Sequence, residues 1–327
     1  MVIYKIFLNK KNVMDVRNIL ILSMVKGIGP AFIKRNYSRL LQGVSCEQLV
    51  LEVKAKELDV LGDYARAAEE IITCCNTNGI IPISILDAEY PKQLMEIADP
   101  PSVLFVKGNI DLMKRVVAIV GTRKSSNLGN RIAERLGAYF SQHFSICNGL
   151  VEGIDEHSVY NNGKILPNVV GVISGGLCYN ETCSAHHRSI IEDVLSAGGL
   201  IVSEYFPRQK EDKFSGSKAS RIQAGLSHGL ILVQSKTDGG SKYTLEKFAK
   251  LGRPMGIIHY PSSDEYNSDS FGANRLIIEK GMLGLSQLLD LKKTSSINSG
   301  RIIALTNKDD YEELIQEIKF QESNILF

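Results

Sequence analysis

The sequence contains no tryptophan, and only 7% of its 327 residues are aromatic. Any surface that stacks on the bases of a single strand therefore depends on a few tyrosines or phenylalanines, such as Tyr179, Tyr205 and Tyr243. The formal net charge is only +2. This near-neutral balance excludes a histone-like protein that binds nucleic acid through bulk charge, but it leaves room for a local basic groove.

Cysteine pairs and long apolar runs are also missing. The six cysteines form no C-x-x-C pair, so neither a disulfide framework nor a zinc site is indicated. No window reaches about 18 uninterrupted apolar residues, and the opening segment MVIYKIFLNKKNV has no long apolar run before a small-residue cleavage site. We therefore expect a cytoplasmic protein with reduced thiols, no metal, no other cofactor and no membrane contact.

The common catalytic motifs are absent as well. H-E-x-x-H, G-x-S-x-G and the Walker sequence G-x-x-x-x-G-K-[ST] do not occur, so metalloprotease, serine hydrolase and P-loop NTPase functions have no support. Asp155 and His157 have the spacing of an acid/base pair, but His157 fits a helix start better. We assign no catalytic residue.

Hydrophobic periodicity divides the chain into three parts. Residues 1–79 have helical spacing and contain G-I-G-P, where Gly27 and Gly29 fit either a helix-hairpin-helix turn that binds a DNA phosphate or an ordinary turn between helices. Residues 80–285 alternate short apolar runs with helical patterns, which predicts an α/β domain with a mostly parallel sheet. Residues 286–327 form a short tail with room for one strand and one helix.

Four glycine-containing turns follow predicted strands, and ligands of parallel sheets bind where the carboxyl ends of the strands meet. The glycines, hydroxyls and cations of these turns are candidate anion ligands. The candidates are Gly121, Thr122, Arg123 and Lys124; Gly149 and Gly153; Gly175 and Gly176; and Gly239, Gly240, Ser241, Lys242 and Thr244, with Arg188 and Arg221 as further cations. Such a surface suits either a nucleotide or the backbone of a nucleic acid. For Glu204, at a strand end, we favour a salt bridge to Arg123 or Arg221.

Taken in order, several long motifs resemble the DprA/Smf family of bacterial DNA-processing proteins over roughly residues 20–285. They are GIGP, YPKQLMEIADPPSVLFVKGN, VAIVGTRKSSNLG, NGLVEGIDEHSVY, LIVSEY and SRIQAGLS. The resemblance implies an extended Rossmann-like fold behind a small all-α domain of the helix-hairpin-helix or SAM type. It also implies a homodimer that binds single-stranded DNA in a basic groove and passes it to a recombinase in natural transformation, without enzymatic turnover.

The sequence departs from the family pattern at several positions. Ala219 and Ser220 replace the Arg and Asn of its arginine motif and leave Arg221, while Gln234 replaces a carboxylate at a strand end. Asn148 replaces a serine, the Ala-His after G-I-D is absent in register, and the C-terminal winged helix of many members has no counterpart. A role in phage defence or toxin control is therefore an alternative to competence.

The rival interpretation is a nucleotide-binding or nucleotide-cleaving protein. DGGSKYTLEK resembles, with one extra residue, the P-G-G-x-G-T-x-x-E motif of the Lonely-guy phosphoribohydrolases, which would make Glu246 catalytic. The extra residue and the lack of a clear arginine for a ribose 5′-phosphate count against it. We predict instead that GTRKSSNLG holds a DNA phosphate, because Arg123 and Lys124 suit a series of single phosphates better than the close approach of a dinucleotide pyrophosphate. A partner protein with an inactive groove is the third possibility.

Overall fold

The structure, a computed structural model, describes residues 15–291, 297 and 300–325. The opening segment tested for a secretion signal, and most of the polar stretch 292–299, lie outside these residues. The chain divides into two compact units, one formed by Met1–Tyr90 with Ala98–Phe105 and the other by Pro91–Ile97 with Val106–Phe327. The predicted limits at residues 79 and 285 remain predictions.

The first unit is mainly helical. Its helices are α1 (Val16–Met24), α2 (Pro30–Arg35), α3 (Tyr37–Leu41), α4 (Cys46–Lys54) and α5 (Leu61–Asn78), with a 3₁₀ turn at Ala55–Val60. Side chains of Asp15 and Ser45 cap α1 and α4 by accepting backbone N–H bonds, and Gly79 ends α5 in the left-handed region at φ +64°. Strand β1 (Ile81–Ser84) follows, beside β2 (Val103–Gly108).

The second unit is built on a parallel sheet of seven strands. They are β3 (Val116–Val120), β4 (Ser145–Asn148), β7 (Val169–Val172), β8 (Leu200–Ser203), β9 (Gly229–Leu232), β10 (Met255–Ile258) and β11 (Ile302–Leu305). Their order is β8-β7-β4-β3-β9-β10-β11, and all six pairings are parallel. From β3 the chain first builds outward through β4 and then returns to the other side of β3 with β9. This reversal makes the carboxyl end of β3 the switch point at which such sheets bind ligands.

Helices follow these strands along the chain, and the last of the helices comes after β11. They are α6 (Asn127–Phe140), α7 (Ile154–Val159), α8 (Tyr179–Thr182), α9 (Ala185–Ser196), α10 (Ser215–Leu226), α11 (Lys242–Phe248), α12 (Gly272–Leu288) and α13 (Lys308–Ile325). Every residue of β3, β4, β7, β8 and β9 is buried, which explains their continuous apolar runs. The α/β fold class and the Rossmann-like, mostly parallel sheet are confirmed.

Two buried polar side chains hold strand and helix ends that apolar packing leaves unsatisfied. Asn274 is fully buried and donates to the carbonyls of Leu232, Val233 and Ile258, at the ends of β9 and β10. Arg253 is 2% exposed and donates to three carbonyls at the end of α10 and to Glu96 Oε2 at 2.7 Å. Both satisfy backbone acceptors without solvent.

Several features were not predicted. Among them are strand β1, the short hairpin of β5 (Tyr160–Asn161) and β6 (Lys164–Ile165), helix α8 and helix α12. Gly281 interrupts α12 with φ +55° and ψ −132°, so the apolar period breaks in its middle. Among the described residues, no helix is long and apolar enough to cross a membrane.

Candidate nucleic-acid interface

The Gly121 turn, residues 121–126, lies at the switch point between β3 and α6. Thr122 N–H donates to the carbonyl of Gln234 at 2.8 Å, and Lys124 N–H to Thr122 Oγ1 at 3.2 Å. A Cβ on Gly121 would lie 2.6 Å from Ile154 and 2.9 Å from the carbonyl of Gln234. The glycine therefore allows the turn to pack against α7 and the end of β9, and the side chains of Arg123 and Lys124 remain exposed.

The start of α6 already has acceptors for its backbone amides. Ser126 Oγ accepts from Gly129 N–H at 3.2 Å, and Gln234 Oε1 accepts from Ser126 N–H at 3.0 Å. The carboxylate of Glu265 accepts from Leu128 N–H at 3.2 Å. The backbone N–H groups that were expected to bind an external phosphate thus largely donate to side chains of the protein itself. The groups of the turn that face solvent are its cations.

The second turn interlocks with the first. Gly153 has φ +92°, and a Cβ there would lie 2.5 Å from the carbonyl oxygen of Thr122 and 2.6 Å from that of Arg123. Ile154 N–H donates to the Thr122 carbonyl at 3.2 Å. The lack of a side chain at Gly153 therefore sets the position of the Gly121 turn. Any side chain there would displace the backbone that carries Arg123.

Asp155 is a buried carboxyl at the base of this turn. It is 7% exposed and accepts the N–H of Gly149 at 2.9 Å. Burial raises the pKa of Asp155 to about 7, opposed by the hydrogen bond from Gly149 and by the charge of Arg123. His187 Nε2 lies 3.2 Å from the Gly149 carbonyl, and burial lowers the pKa of His187. None of the described hydrogen bonds joins the Asp155 carboxylate to His157, so the acid/base pair has no geometric support.

The third turn is covered by the connection from β8 to α10. Gly176 N–H donates to the Gln209 carbonyl at 2.8 Å, and a Cβ on Gly176 would lie 2.0 Å from the Phe206 carbonyl oxygen. The Gly175 carbonyl accepts from Ser203 Oγ at 2.7 Å. The amide of Gly176 therefore supports this connection and is already satisfied.

Arg221 occupies a different place from that expected of a groove cation. Its side chain is 8% exposed and forms an ion pair with Glu204, which is 13% exposed, at 2.6 Å. The salt bridge favoured for Glu204 is confirmed, with Arg221 as the partner. Because its charge is buried and neutralised, Arg221 stabilises α10 against the end of β8 and does not face solvent. Arg188 lies half-buried in the first turn of α9.

The fourth turn, residues 235–241, is held by its own hydroxyls. Ser241 Oγ donates to Ser235 Oγ at 2.7 Å, and Ser241 and Thr244 are 7% and 4% exposed. Gly239 packs against this pair, since its Cβ would lie 2.5 Å from Ser235 Oγ, whereas a Cβ on Gly240 would meet nothing within 4 Å. Lys242 is half-buried, with its Nζ 6.0 Å from the centre of the Tyr243 ring. Hydroxyls that bond each other are not presented to a ligand.

Glu246 does not have the setting of a catalytic carboxylate. It pairs with Lys250 at 2.7 Å and with Lys247 at 3.4 Å. The Lys250 hydrogen bond is the largest cause that holds the pKa of Glu246 below its usual range. A carboxylate kept ionised by two lysines is a poor proton acceptor, so the phosphoribohydrolase alternative is not favoured.

Exposure decides which aromatic side chains can stack on a base, and it adds one residue that the sequence analysis did not name. Tyr205 is 3% exposed, so it offers no platform, whereas Tyr243 is 49% exposed. Phe214 was not predicted; it is 59% exposed in the β8–α10 connection, with Lys213 Nζ 4.9 Å from its ring centre. The adjacent basic residues in PRQKEDKFSGSK were the available signal. Tyr179 is half-buried, with Lys107 Nζ 5.3 Å from its ring centre.

In the first unit, the two glycines of G-I-G-P have different constraints. Gly27 has φ +98°, and a Cβ there would lie 3.1 Å from Val53. Gly29 has φ −104°, and a Cβ there would meet nothing within 4 Å. Gly27 is therefore required by the turn itself, whereas Gly29 is not.

Sequence comparison links most of the chain from residue 82 onward to known proteins. The family model described as DNA recombination-mediator protein A matches residues 82–291. The chain is 35% identical over 180 residues to DNA processing protein DprA of Streptococcus pneumoniae, covering 54% of this chain and 61% of that protein. It is 29% identical over 232 residues to DNA processing protein DprA of Bacillus subtilis, covering 70% and 76%. The chain thus spans less than two thirds of the pneumococcal relative's length.

Solved structures show the same fold. The X-ray structure of DprA from Streptococcus pneumoniae aligns with a TM-score of 0.69 at 24% identity, covering 92% of this chain and 98% of that one. DprA from Helicobacter pylori, for which a single-stranded DNA binding mode is described, aligns with a TM-score of 0.53 at 22% identity, covering 64% and 94%. With the family match extending over more than half of its residues, the chain belongs to the DNA recombination-mediator protein A (DprA/Smf) family.

Proposed function

We propose that this chain binds single-stranded DNA along the carboxyl edge of its parallel sheet, through the phosphate backbone and without preference for base sequence. The observation that carries the proposal is the exposure of Arg123 and Lys124 at the switch point. Neither side chain forms an ion pair with another residue in the described part of the chain. Two adjacent exposed cations that form no ion pair with the described residues fit a series of phosphates, and the names of the relatives support the same ligand.

Exposed rings with neighbouring lysines supply the second element of single-strand binding. Both pairs present an exposed ring beside a cation: Phe214 with Lys213 in the β8–α10 connection, and Tyr243 with Lys242 in the first turn of α11. Each base has a face that stacks on such a ring, so these contacts tolerate any sequence. We propose that binding occurs without turnover, that charge provides affinity and that stacking favours single strands over duplex.

The test is a fluorescence-anisotropy titration of labelled poly-dT at several salt concentrations. Arg123→Ala/Lys124→Ala removes two phosphate contacts and should lower the slope of log affinity against log salt by about 1.4, since each single-strand contact contributes about 0.7. The matched control is Lys114→Ala/Lys164→Ala, which removes the same charge at two exposed positions away from the Gly121 turn, one before β3 and one in the β5–β6 hairpin. Equal losses in the two double variants would show that only overall charge matters and would refute the interface.

We propose further that the chain passes single strands to a strand-exchange recombinase, which the description of the family as a recombination mediator supports, and that it does so as a homodimer. Analytical ultracentrifugation across a concentration series tests self-association. Recombinase loading is tested by the lag in filament formation on single-stranded DNA. A monomer at all concentrations, or an unchanged lag, would remove the corresponding part of the proposal.

A further inference from the structure

The start of α6 contains an anion supplied by the chain itself. Glu265 lies in the loop between β10 and α12, and its carboxylate accepts the N–H of Leu128 at 3.2 Å. The two residues are 137 positions apart in the sequence. The amino end of a helix favours negative charge, and in a Rossmann-like sheet the helix after the first strand is where a nucleotide phosphate binds. Glu265 therefore occupies the place of such a phosphate.

The loop that carries Glu265 is anchored on both sides of it. Tyr266 is 1% exposed, and its hydroxyl lies 3.1 Å from His259 Nδ1. Arg275 of α12 donates to the carbonyls of Tyr266 and Ser268. Because these contacts fix the backbone next to Glu265, its carboxylate is held at the helix start in advance, with little further loss of conformational freedom.

A second observation points to a ligand position at the same place. Gln234 is fully buried and accepts the N–H of Ser126, the capping residue of α6, through Oε1. Its Nε2 is buried without a hydrogen-bond partner among the described residues. An unpaired buried donor at the start of a helix is costly, and an acceptor oxygen placed there would satisfy it.

We propose that Glu265 acts as an intramolecular substitute for phosphate and makes the Gly121 turn reject free nucleoside monophosphates, while Arg123 and Lys124 still bind the backbone of a DNA strand. The inference rests on the proposed function, because it explains how a sheet of the nucleotide-binding type selects a polymer. The carboxylate satisfies the donor that a terminal phosphate needs and repels its charge. Phosphodiesters that lie against the outward cations do not need that donor.

The experiment titrates inorganic phosphate and 5′-dTMP into ¹⁵N-labelled full-length protein and follows the backbone amides of Leu128 and Gly129 by NMR. Glu265→Ala should bind 5′-dTMP at least about tenfold more tightly than the wild type, with shifts centred on these amides. Glu265→Gln retains an acceptor for Leu128 without the charge and should lie between the two. Asp264→Asn, an exposed neighbour in the same loop, is the matched control and should behave as wild type.

Parallel poly-dT titrations separate this inference from the proposed function. Retained poly-dT binding with no gain of 5′-dTMP binding in Glu265→Ala would overturn the role of Glu265 and leave the DNA interface intact. Tight 5′-dTMP binding by the wild type would also overturn it. If the wild type does not bind poly-dT, the proposed function is refuted. A gain of 5′-dTMP binding in the Glu265 variants would still support the exclusion of nucleoside monophosphates by Glu265.

Discussion

Variants of the buried pair of Arg221 and Glu204 can show whether Arg221 stabilises the fold or binds DNA. The two side chains are 8% and 13% exposed and lie 2.6 Å apart, and Glu204 Oε1 has no hydrogen-bond partner in the described part of the chain. Arg221→Ala would leave a carboxylate buried without its cation. We therefore expect this single change to destabilise the protein far more than the loss of a surface contact.

The expected cost is about 3–5 kcal/mol, the range found when one partner of a buried ion pair is removed. For a unit of 150–250 residues, even the lower limit corresponds to a fall in Tm of about 6–12 °C. Arg221→Met/Glu204→Met removes both charges while keeping much of the volume, so its stability should be close to wild type or higher. Thermal denaturation followed by circular dichroism measures all three proteins.

The double variant also decides whether Arg221 contacts DNA. Since the native side chain is neutralised inside the protein, Arg221→Met/Glu204→Met should bind poly-dT as the wild type does. A stable double variant with strongly reduced affinity would place Arg221 in the interface, through opening of the pair. An Arg221→Ala protein as stable as the wild type would refute the burial argument itself.

Three further predictions follow from exposure and backbone geometry. Phe214→Ala should weaken poly-dT binding by about 1–3 kcal/mol in anisotropy titrations, whereas Phe320→Ala, at a residue 65% exposed in α13, should not change it. Gly27→Ala should lower Tm more than Gly29→Ala, because only Gly27 has a positive φ, whereas Gly29 is the N-cap of α2 in an extended conformation; an affinity loss in Gly29→Ala would indicate DNA contact by this turn. Asp155 holds its proton to about pH 7 in the folded state but releases it near 3.8 when unfolded, so its contribution to stability is full below about pH 4 and lost as the pH rises through 7. Asp155→Asn should therefore gain stability over the wild type more at pH 8 than at pH 5 in urea denaturation, and an equal difference at both would contradict the assigned burial.

The sheet could be predicted because its information is local. Strands β3, β4, β7, β8 and β9 are buried along their whole length, so each is a continuous apolar run that the sequence displays directly. Helix α12 was not predicted because its sequence lacks a continuous helical pattern of apolar residues. The positive φ of Gly281 and the fully buried polar Asn274 break the apolar period that identifies a helix.

The candidate site was harder to predict because its hydrogen bonds join distant parts of the chain. Gln234 accepts from Ser126 across 108 positions, and Glu265 accepts from Leu128 across 137. In the sequence, Glu265 is one of several polar residues in SSDEYNSDS, and nothing local distinguishes it from Asp264. Strand-end glycines identify where turns lie, but which amides are already satisfied depends on side chains that only the fold brings near.

At the switch point, satisfied backbone amides lie beside exposed cations, and this arrangement explains how a position that often binds nucleotides can bind a different ligand. Gly121 in the first turn and Gly153 in the second allow the two turns to pack closely, and internal acceptors satisfy the amides at the start of α6. The backbone N–H groups that would bind one phosphate thus donate within the protein, while Arg123 remains exposed. An exposed cation binds any phosphate along a strand with similar energy, so affinity has to come from repeated contacts with a polymer.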